Sequence, residues 1–147
     1  MSAIQEYTPP AESQDMWSEL NLPDGDDKLR ELINIGFDIK VLSRTASFLS
    51  VSNEIIANAI RLAPTTFARR KKYGRLNPDE SDRAFRLIKV ADRAIDLFEG
   101  DVSEAMKWMN KPAIALDNKK PIEMLGTSAE TIAVLKLIDR IEYGVYS

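Results

Sequence analysis

The 147-residue chain contains no cysteine and no histidine. Without cysteine it can form neither disulfides nor thiolate metal sites. Without histidine it lacks the commonest general base and the commonest metal ligand. The familiar nucleophile–base pairs also depend on these residue types, and the sequence has no glycine-rich phosphate-binding loop. These absences argue against an enzyme, and we expect no catalytic residue, cofactor or metal.

Two pairs of carboxylates at helical spacing are the remaining candidates for acid–base chemistry. They are Asp79 with Asp82, and Asp92 with Asp96. Basic side chains lie within one helical turn of both pairs, at the spacing that gives ion pairs on a helix surface. We therefore predict surface ion pairs rather than catalysis. The expected basic partners are Arg83, Arg86, Lys89 and Arg93.

The chain also lacks long apolar runs and strand-like alternation. No run approaches the roughly 18 residues that a membrane span needs, and residues 1–6 lack the basic and apolar segments of a secretory signal. We expect no membrane association and a cytoplasmic location. Apolar residues instead recur at helical spacing from Lys28 to Ile141, which predicts an all-α fold.

Capping residues predict where the helices begin and end. Predicted starts are at Ser52, Pro64, Asn77, Asp101 and Thr127, and predicted stops are at Gly36, Gly74 and Gly100. We divide the chain into a largely flexible acidic arm (1–27), a DNA-binding domain (28–76) and a second helical domain (77–147). The arm contains an amphipathic stretch with two possible roles. It would dock on the rest of the chain or on a second subunit, or it would be a partly ordered tail. Its apolar residues are Met16, Trp17, Leu20 and Leu22.

A single basic segment interrupts an otherwise acidic chain. The whole chain has a net charge of −3, yet residues 51–75 hold six basic and one acidic side chain, a net of +5. Such local charge is typical of nucleic-acid binding, although cations near a helix C-terminus are favourable in any case. Predicted helices at 52–60 and 64–73 flank a three-residue turn. This is the helix-turn-helix arrangement, and it favours the DNA-binding interpretation.

The second of these helices would be the recognition helix. Thr65 and Thr66 at its N-terminal end would face base edges and phosphates, and Arg69 one turn later would reach a guanine edge. Arg70 stands where many such motifs carry an apolar residue, so a rotated recognition helix is an open alternative. The remaining cations would contact phosphates. They are Arg61, Arg70, Lys71, Lys72 and Arg75.

Four further segments, in order, resemble the Xre/MbcA/ParS-type antitoxins. They read TTFARRKKYGRLNPDESDR at 65–83, AMKWMNKP at 105–112, PIEML at 121–125 and RIEYGVYS at 140–147. The resemblance covers about residues 28–147, and the order of the motifs makes it far more specific than any one of them. The chain departs from the family pattern at Phe67, where leucine is commoner. It also departs at Asp117 and Asn118, where relatives often have glycines.

The resemblance implies an operon partner, a RES-domain toxin that consumes NAD or ADP-ribosylates a target. It also implies that a homodimer represses its own operon by binding operator DNA, and that the toxin alters the DNA affinity. The predicted fold is a Cro/repressor-like helix-turn-helix domain followed by a small helical toxin-binding domain. Two other functions remain open. One is a stand-alone transcription regulator whose C-terminal lobe dimerises or senses a ligand, and the other is a toxin-binding module without DNA binding.

The resemblance further implies that the last helix and its tail cover the toxin's active-site cleft. Tyr143 and Tyr146 suit this role as rigid aromatic anchors, and Gly144 lets the chain turn and approach closely. A frayed last turn with exposed tyrosines is the alternative. The predicted toxin-binding residues are Arg140, Tyr143, Gly144, Val145, Tyr146 and Ser147.

Overall fold

A computed structural model describes residues 15–144 of the chain. Over these residues it contains eight α-helices and no β-strand beyond isolated bridges, in agreement with the all-α prediction. The helices are α1 (Met16–Glu19), α2 (Asp26–Ile35), α3 (Lys40–Leu49), α4 (Asn53–Ala59), α5 (Pro64–Tyr73), α6 (Pro78–Leu97), α7 (Val102–Met109) and α8 (Ser128–Glu142). Two 3₁₀ turns, Ile114–Leu116 and Pro121–Glu123, lie between α7 and α8.

Local sequence signals account for the helix boundaries. Side chains cap four α-helices at their predicted starts, where each accepts a hydrogen bond from a backbone N–H that has no partner within its helix. The capping residues are Ser52 at α4, Asn77 at α6, Asp101 at α7 and Thr127 at α8. Pro64 begins α5, and Gly74 ends it with a φ of 79°.

The helices share one apolar core, in which α6 is central. This helix packs against α2, α7 and α8. Its buried face includes Leu87, Ile88 and Ala91, while Leu29 of α2 and Ile138 of α8 are also buried in the same cluster. The two halves of the chain are therefore held together by a common helix. No helix within residues 15–144 is long and apolar enough to cross a membrane.

The apolar stretch inside the predicted arm packs on the body of its own chain. Its buried side chains are Met16, Leu20 and Leu22. Trp17 is partly buried, and its Nε1–H donates to Asp92 Oδ2 at 3.3 Å. The arm is therefore ordered from residue 15 onward, because it contributes side chains to the core. Residues 1–14 lie outside the described part of the chain.

The contact with α1 places Asp92 in a partly buried position. Burial raises the pKa of Asp92 above its ordinary value of 3.8, although the hydrogen bond from Trp17 opposes the shift. The negative charges of Asp96 and Asp15 add to the rise, and the positive charge of Arg93 opposes it. The folded pKa therefore exceeds the unfolded pKa. The stabilising effect of this group is complete below the unfolded pKa and is lost as the pH rises through the folded pKa.

We expect Asp92→Asn to raise the melting temperature by about 2 °C at pH 7. The neutral amide carries no charge to desolvate and can still accept the hydrogen bond from Trp17. The gain should vanish below about pH 4, where the parent carboxyl group is protonated. Thermal unfolding at pH 7 and pH 3 checks this, with the exposed Glu31→Gln as control. A variant that is less stable than its parent at pH 7 would contradict the prediction.

Candidate functional site

The α4–α5 pair has the geometry of a helix-turn-helix. The turn between the helices begins with Ile60, and Leu62 N–H donates to Ala57 O at 2.8 Å. The predicted small core between the helices is present. Its fully buried members are Ile56, Ile60 and Leu62, and Phe67 is partly buried beside them. The small side chain of Ala57, itself buried, lets the turn lie close to α4.

One face of α5 is open to solvent. Its exposed residues recur three and four positions apart, the spacing that places side chains on one face of a helix. They are Thr65, Ala68, Arg69, Lys72 and Tyr73, and we call them the exposed face of α5. Thr66 is half-buried, and Lys71 lies to one side with its Nζ 5.1 Å from the centre of the Phe67 ring. A ligand can therefore reach the exposed face of α5 and, beside it, the exposed Lys71.

Arg70 points the opposite way, toward the start of α6. Its Nε donates to Glu80 Oε1 at 2.8 Å and its Nη2 to Glu80 Oε2 at 3.2 Å. The Glu80 side chain is only 6% exposed, and its Oε1 also accepts the backbone N–H of Asn77 at 2.9 Å. One buried carboxylate thus completes the capping box of α6 and holds α5. The structure gives Arg70 this internal partner, which accounts for an arginine where an apolar residue is common, and its predicted phosphate contact stays a prediction.

Two more of the predicted phosphate contacts have partners within the protein. Arg75 Nη1 donates to Gly36 O at 2.7 Å, beside the antiparallel contact between the segments that follow α2 and α5. Arg61 Nη2 donates to Glu130 Oε1 at 3.3 Å, on the first turn of α8. Three cations of the basic segment therefore join parts of the fold and two lie on the exposed face of α5, while Lys71 lies over a ring of its own helix.

Sequence reasoning missed two residues of this face, Ala68 and Tyr73. Neither carries a charge, so a search for basic side chains passes over them. Helical spacing would have found both, because Ala68 lies three positions after Thr65 and Tyr73 lies four positions after Arg69. Tyr73 is 73% exposed, so its ring is accessible to a ligand.

The predicted ion pairs of the carboxylates are present for one pair only. Asp79 pairs with Arg83 and Asp82 pairs with Arg86, as expected. For the second pair the prediction is wrong. Asp92 accepts from the Trp17 indole, Lys89 lies over the Phe85 ring, and Arg93 reaches across to α8. The partners of Asp92 and Arg93 lie far away in sequence, where the spacing rule for a single helix has no bearing, and Lys89 contacts a ring one turn away on its own helix instead of a carboxylate.

The last helix, α8, also has one exposed face. Arg93 Nη2 bonds to two carboxylates near the C-terminal end of this helix, Asp139 Oδ1 at 2.7 Å and Glu142 Oε1 at 2.9 Å. A row of exposed residues at helical spacing runs beside them, and we call these residues the exposed face of α8. They are Ile132, Lys136, Arg140 and Tyr143. Gly144 follows with a φ of 63°, while Val145, Tyr146 and Ser147 lie outside the described residues.

The loop before α8 explains the departures from the family pattern at Asp117 and Asn118. Their φ angles are 61° and 63°, in the left-handed region that favours glycine and that aspartate and asparagine tolerate best among other residues. The loop closes through an antiparallel bridge between Ala113 and Lys119. The two residues therefore preserve the turn that glycines would make.

Comparisons with known proteins agree with this organisation. The model of the antitoxin Xre-like helix-turn-helix domain matches residues 28–89, and that of the antitoxin Xre/MbcA/ParS C-terminal toxin-binding domain matches residues 93–144. Two similar proteins are each called Antitoxin Xre. The one from Yersinia enterocolitica is 33% identical over 95% of this chain and 96% of its own length. The one from Photorhabdus laumondii is 29% identical over 92% and 93%.

These findings define a helical antitoxin with a helix-turn-helix domain and a C-terminal toxin-binding domain, neither of which is an enzymatic domain. The chain belongs to the Xre-type antitoxins. The two family matches meet within α6, the helix that the two halves share. The boundary predicted at residues 76 and 77 falls just before that helix and stays a prediction.

Proposed function

We propose that this antitoxin binds operator DNA with the exposed face of α5 and neutralises its toxin with the exposed face of α8 and the tail. One observation supports both halves of the proposal. Within residues 15–144, neither the cations nor the tyrosines of these two faces bond to another part of the fold. Arg69 and Lys72 lie on the first face, and Arg140 and Tyr143 on the second.

The exposed face of α5 has the chemistry of a DNA-reading surface. Thr65 lies in the first turn, where helix N–H groups favour phosphate. Arg69 offers the bidentate donor that suits a guanine edge, and the small side chain of Ala68 allows contact with a thymine methyl group. Lys72 and Tyr73 lie further along the helix, where they can contact the phosphate backbone. We propose that the antitoxin represses its own operon in this way, as a homodimer on two half-sites.

The exposed face of α8 combines apolar anchors with positive charge. Ile132 is 51% exposed and Tyr143 is 76% exposed, and Lys136 and Arg140 lie between them. Large aromatic and arginine side chains commonly dominate protein interfaces. From the family resemblance we propose that the partner is a RES-domain toxin that consumes NAD. We also propose that the helix and residues 143–147 cover the toxin's active site, and that both proteins act in the cytoplasm.

Two tyrosines of nearly equal exposure provide a matched test. We expect Tyr143→Ala to weaken toxin binding at least about ten-fold, because buried aromatic anchors contribute most to interface energy. Tyr73→Ala, on α5, should leave toxin binding unchanged. Deletion of residues 143–147 should release toxicity in cells while salt-dependent DNA binding persists. The measurements are the affinity of the purified toxin for each variant and growth during co-expression.

Three observations would distinguish the proposed function from its alternatives. Full protection by the chain that lacks residues 143–147 would contradict occlusion of the active site by the tail. An isolated gene, with no RES-type reading frame beside it, would favour a stand-alone transcription regulator whose C-terminal half dimerises or senses a ligand. A toxin-binding module without DNA binding would show no salt-dependent binding to promoter DNA.

A further inference from the structure

Arg61 adopts an unusual backbone conformation at the centre of the helix-turn-helix. It occupies the turn between α4 and α5 with a φ of 56°, in the left-handed region where a side chain costs about 1 kcal/mol relative to glycine. Its backbone N–H donates to Asn58 O at 3.0 Å and so closes the turn. Glycine would make the same turn without this strain. The side chain of Arg61 is therefore the feature that needs an explanation.

That side chain leaves the helix-turn-helix and reaches the toxin-binding domain. Arg61 Nη2 lies 3.3 Å from Glu130 Oε1, and the guanidinium group occupies the space that a side chain on Gly126 would need. A Cβ atom on Gly126 would lie only 2.1 Å from Arg61 Cζ. Glu130 belongs to the cap of α8, because its backbone N–H donates to Thr127 Oγ1. Arg61 thus connects the residues just before α5 to the first turn of α8.

Two side chains of α6 bond to the backbone on either side of the Arg61–Glu130 contact. Arg83 Nε donates to Ile60 O at 2.7 Å, directly before Arg61 in the chain. Arg86 Nη2 donates to Gly126 O at 3.3 Å, on the other side of the contact. The turn of the helix-turn-helix and the start of α8 are therefore fixed to the same stretch of α6. Only the Arg61–Glu130 pair joins them directly among the ion pairs of the described residues.

We propose that Arg61 is a positioning residue through which the toxin-binding domain sets the placement of α5, and with it the affinity for DNA. The proposal rests on the DNA binding proposed above. It assigns Arg61 a partner, Glu130, in place of a DNA phosphate. A contact on the first turn of α8 would then change DNA affinity without touching the DNA-binding surface.

The test is the affinity for duplex DNA that covers the region upstream of the antitoxin's own reading frame, measured at several salt concentrations. We expect Glu130→Gln to weaken binding about three-fold, the scale of a partly exposed ion pair. Glutamine still suits the capping position. Arg61→Gly should weaken binding equally, and the double variant should bind no worse than either single variant. The salt dependence should not change, because no phosphate contact is lost.

Two further variants separate this role from a general structural one. Gly126→Ala should cause the same loss, since its methyl group takes the place of the guanidinium group. The exchange of Arg61→Glu with Glu130→Arg should restore most of the affinity. Glu31→Gln, the same change of charge at an exposed position on α2, should bind like the parent. Melting temperatures identify any variant that fails to fold.

Several outcomes would overturn the proposal. If Arg61→Gly alone lost affinity and its salt slope fell by about one, Arg61 would be a phosphate contact. If every variant bound like the parent, the Arg61–Glu130 contact would have no part in DNA binding. A parent protein without salt-dependent DNA binding would instead refute the proposed function itself, and that result is visible before any variant is made.

Discussion

Alanine at Arg70 is expected to destabilise the protein by about 2–4 kcal/mol, because it leaves the buried carboxylate of Glu80 without its cation. The carboxylate would keep only the backbone N–H of Asn77 as a hydrogen-bond donor in this contact. The neighbouring variant Arg69→Ala should leave stability unchanged, because Arg69 is exposed on the open face of α5. It should instead weaken DNA binding about 5- to 100-fold, the scale of one bidentate base contact. The variants of these two adjacent arginines are thus expected to differ: one loses stability and the other loses DNA affinity.

Thermal unfolding and DNA affinity measured on the same samples check this contrast. The loss at Arg70 corresponds to a fall in melting temperature of roughly 5–12 °C for a chain of this size. A control removes the buried charge as well, since Arg70→Met combined with Glu80→Gln should recover most of the stability. A folded Arg70→Ala protein with the parent's melting temperature and strongly reduced DNA affinity would show that Arg70 contacts DNA after all.

The contrast between these arginines shows what sequence reasoning can and cannot reach. The helices and their caps were predictable, because Ser52, Asn77 and Thr127 act on backbone groups only two or three residues away. The charge of residues 51–75 was also countable from the sequence. The partners of its cations were not, because Glu80 and Glu130 reach α5 and its preceding turn only through the folded arrangement.

The same distinction applies to the arm. Composition predicted a flexible acidic segment up to residue 27, and proline and acidic residues do favour disorder. Three apolar side chains outweigh that tendency once a groove on the body accepts them. They are Met16, Leu20 and Leu22. The sequence contained the amphipathic pattern, but only the fold identifies the surface that it covers.

The exposed face of α8 was predictable in part. Arg140 and Tyr143 came from the resemblance of the closing motif, whereas Ile132 and Lys136 emerge from the packing of the helix. Their exposure depends on which side of α8 the core takes, and the buried residue Ile138 fixes that side against α6. A family motif can thus identify an interface, and the packed fold is needed to give its extent.

Glycine-to-alanine variants at two helix ends provide the second large expected effect. Gly36 follows α2 with a φ of 103°, and Gly74 follows α5 with a φ of 79°. Alanine at Gly74 would cost the left-handed penalty of about 1 kcal/mol. Alanine at Gly36 would cost more, because the ψ of 130° there lies outside the left-handed helical region. At Gly36 the new Cβ would also lie 2.1 Å from the backbone oxygen of Leu76, whereas at Gly74 it would have no neighbour within 4 Å. Gly74→Ala is therefore a control for a positive φ without a clash.

We expect Gly36→Ala to destabilise the protein by at least about 3 kcal/mol, against about 1 kcal/mol for Gly74→Ala. The oxygen of Leu76 cannot move away freely, because the backbone beside it is fixed. Leu76 N–H donates to Phe37 O at 2.9 Å, and Phe37 N–H donates in turn to the buried Ser81 Oγ at 2.8 Å. Denaturant unfolding of both variants measures the difference. Equal losses of stability would mean that the backbone around Gly36 and Leu76 shifts to accommodate the methyl group. The segment after α2 would then not fix the positions of α5 and α6.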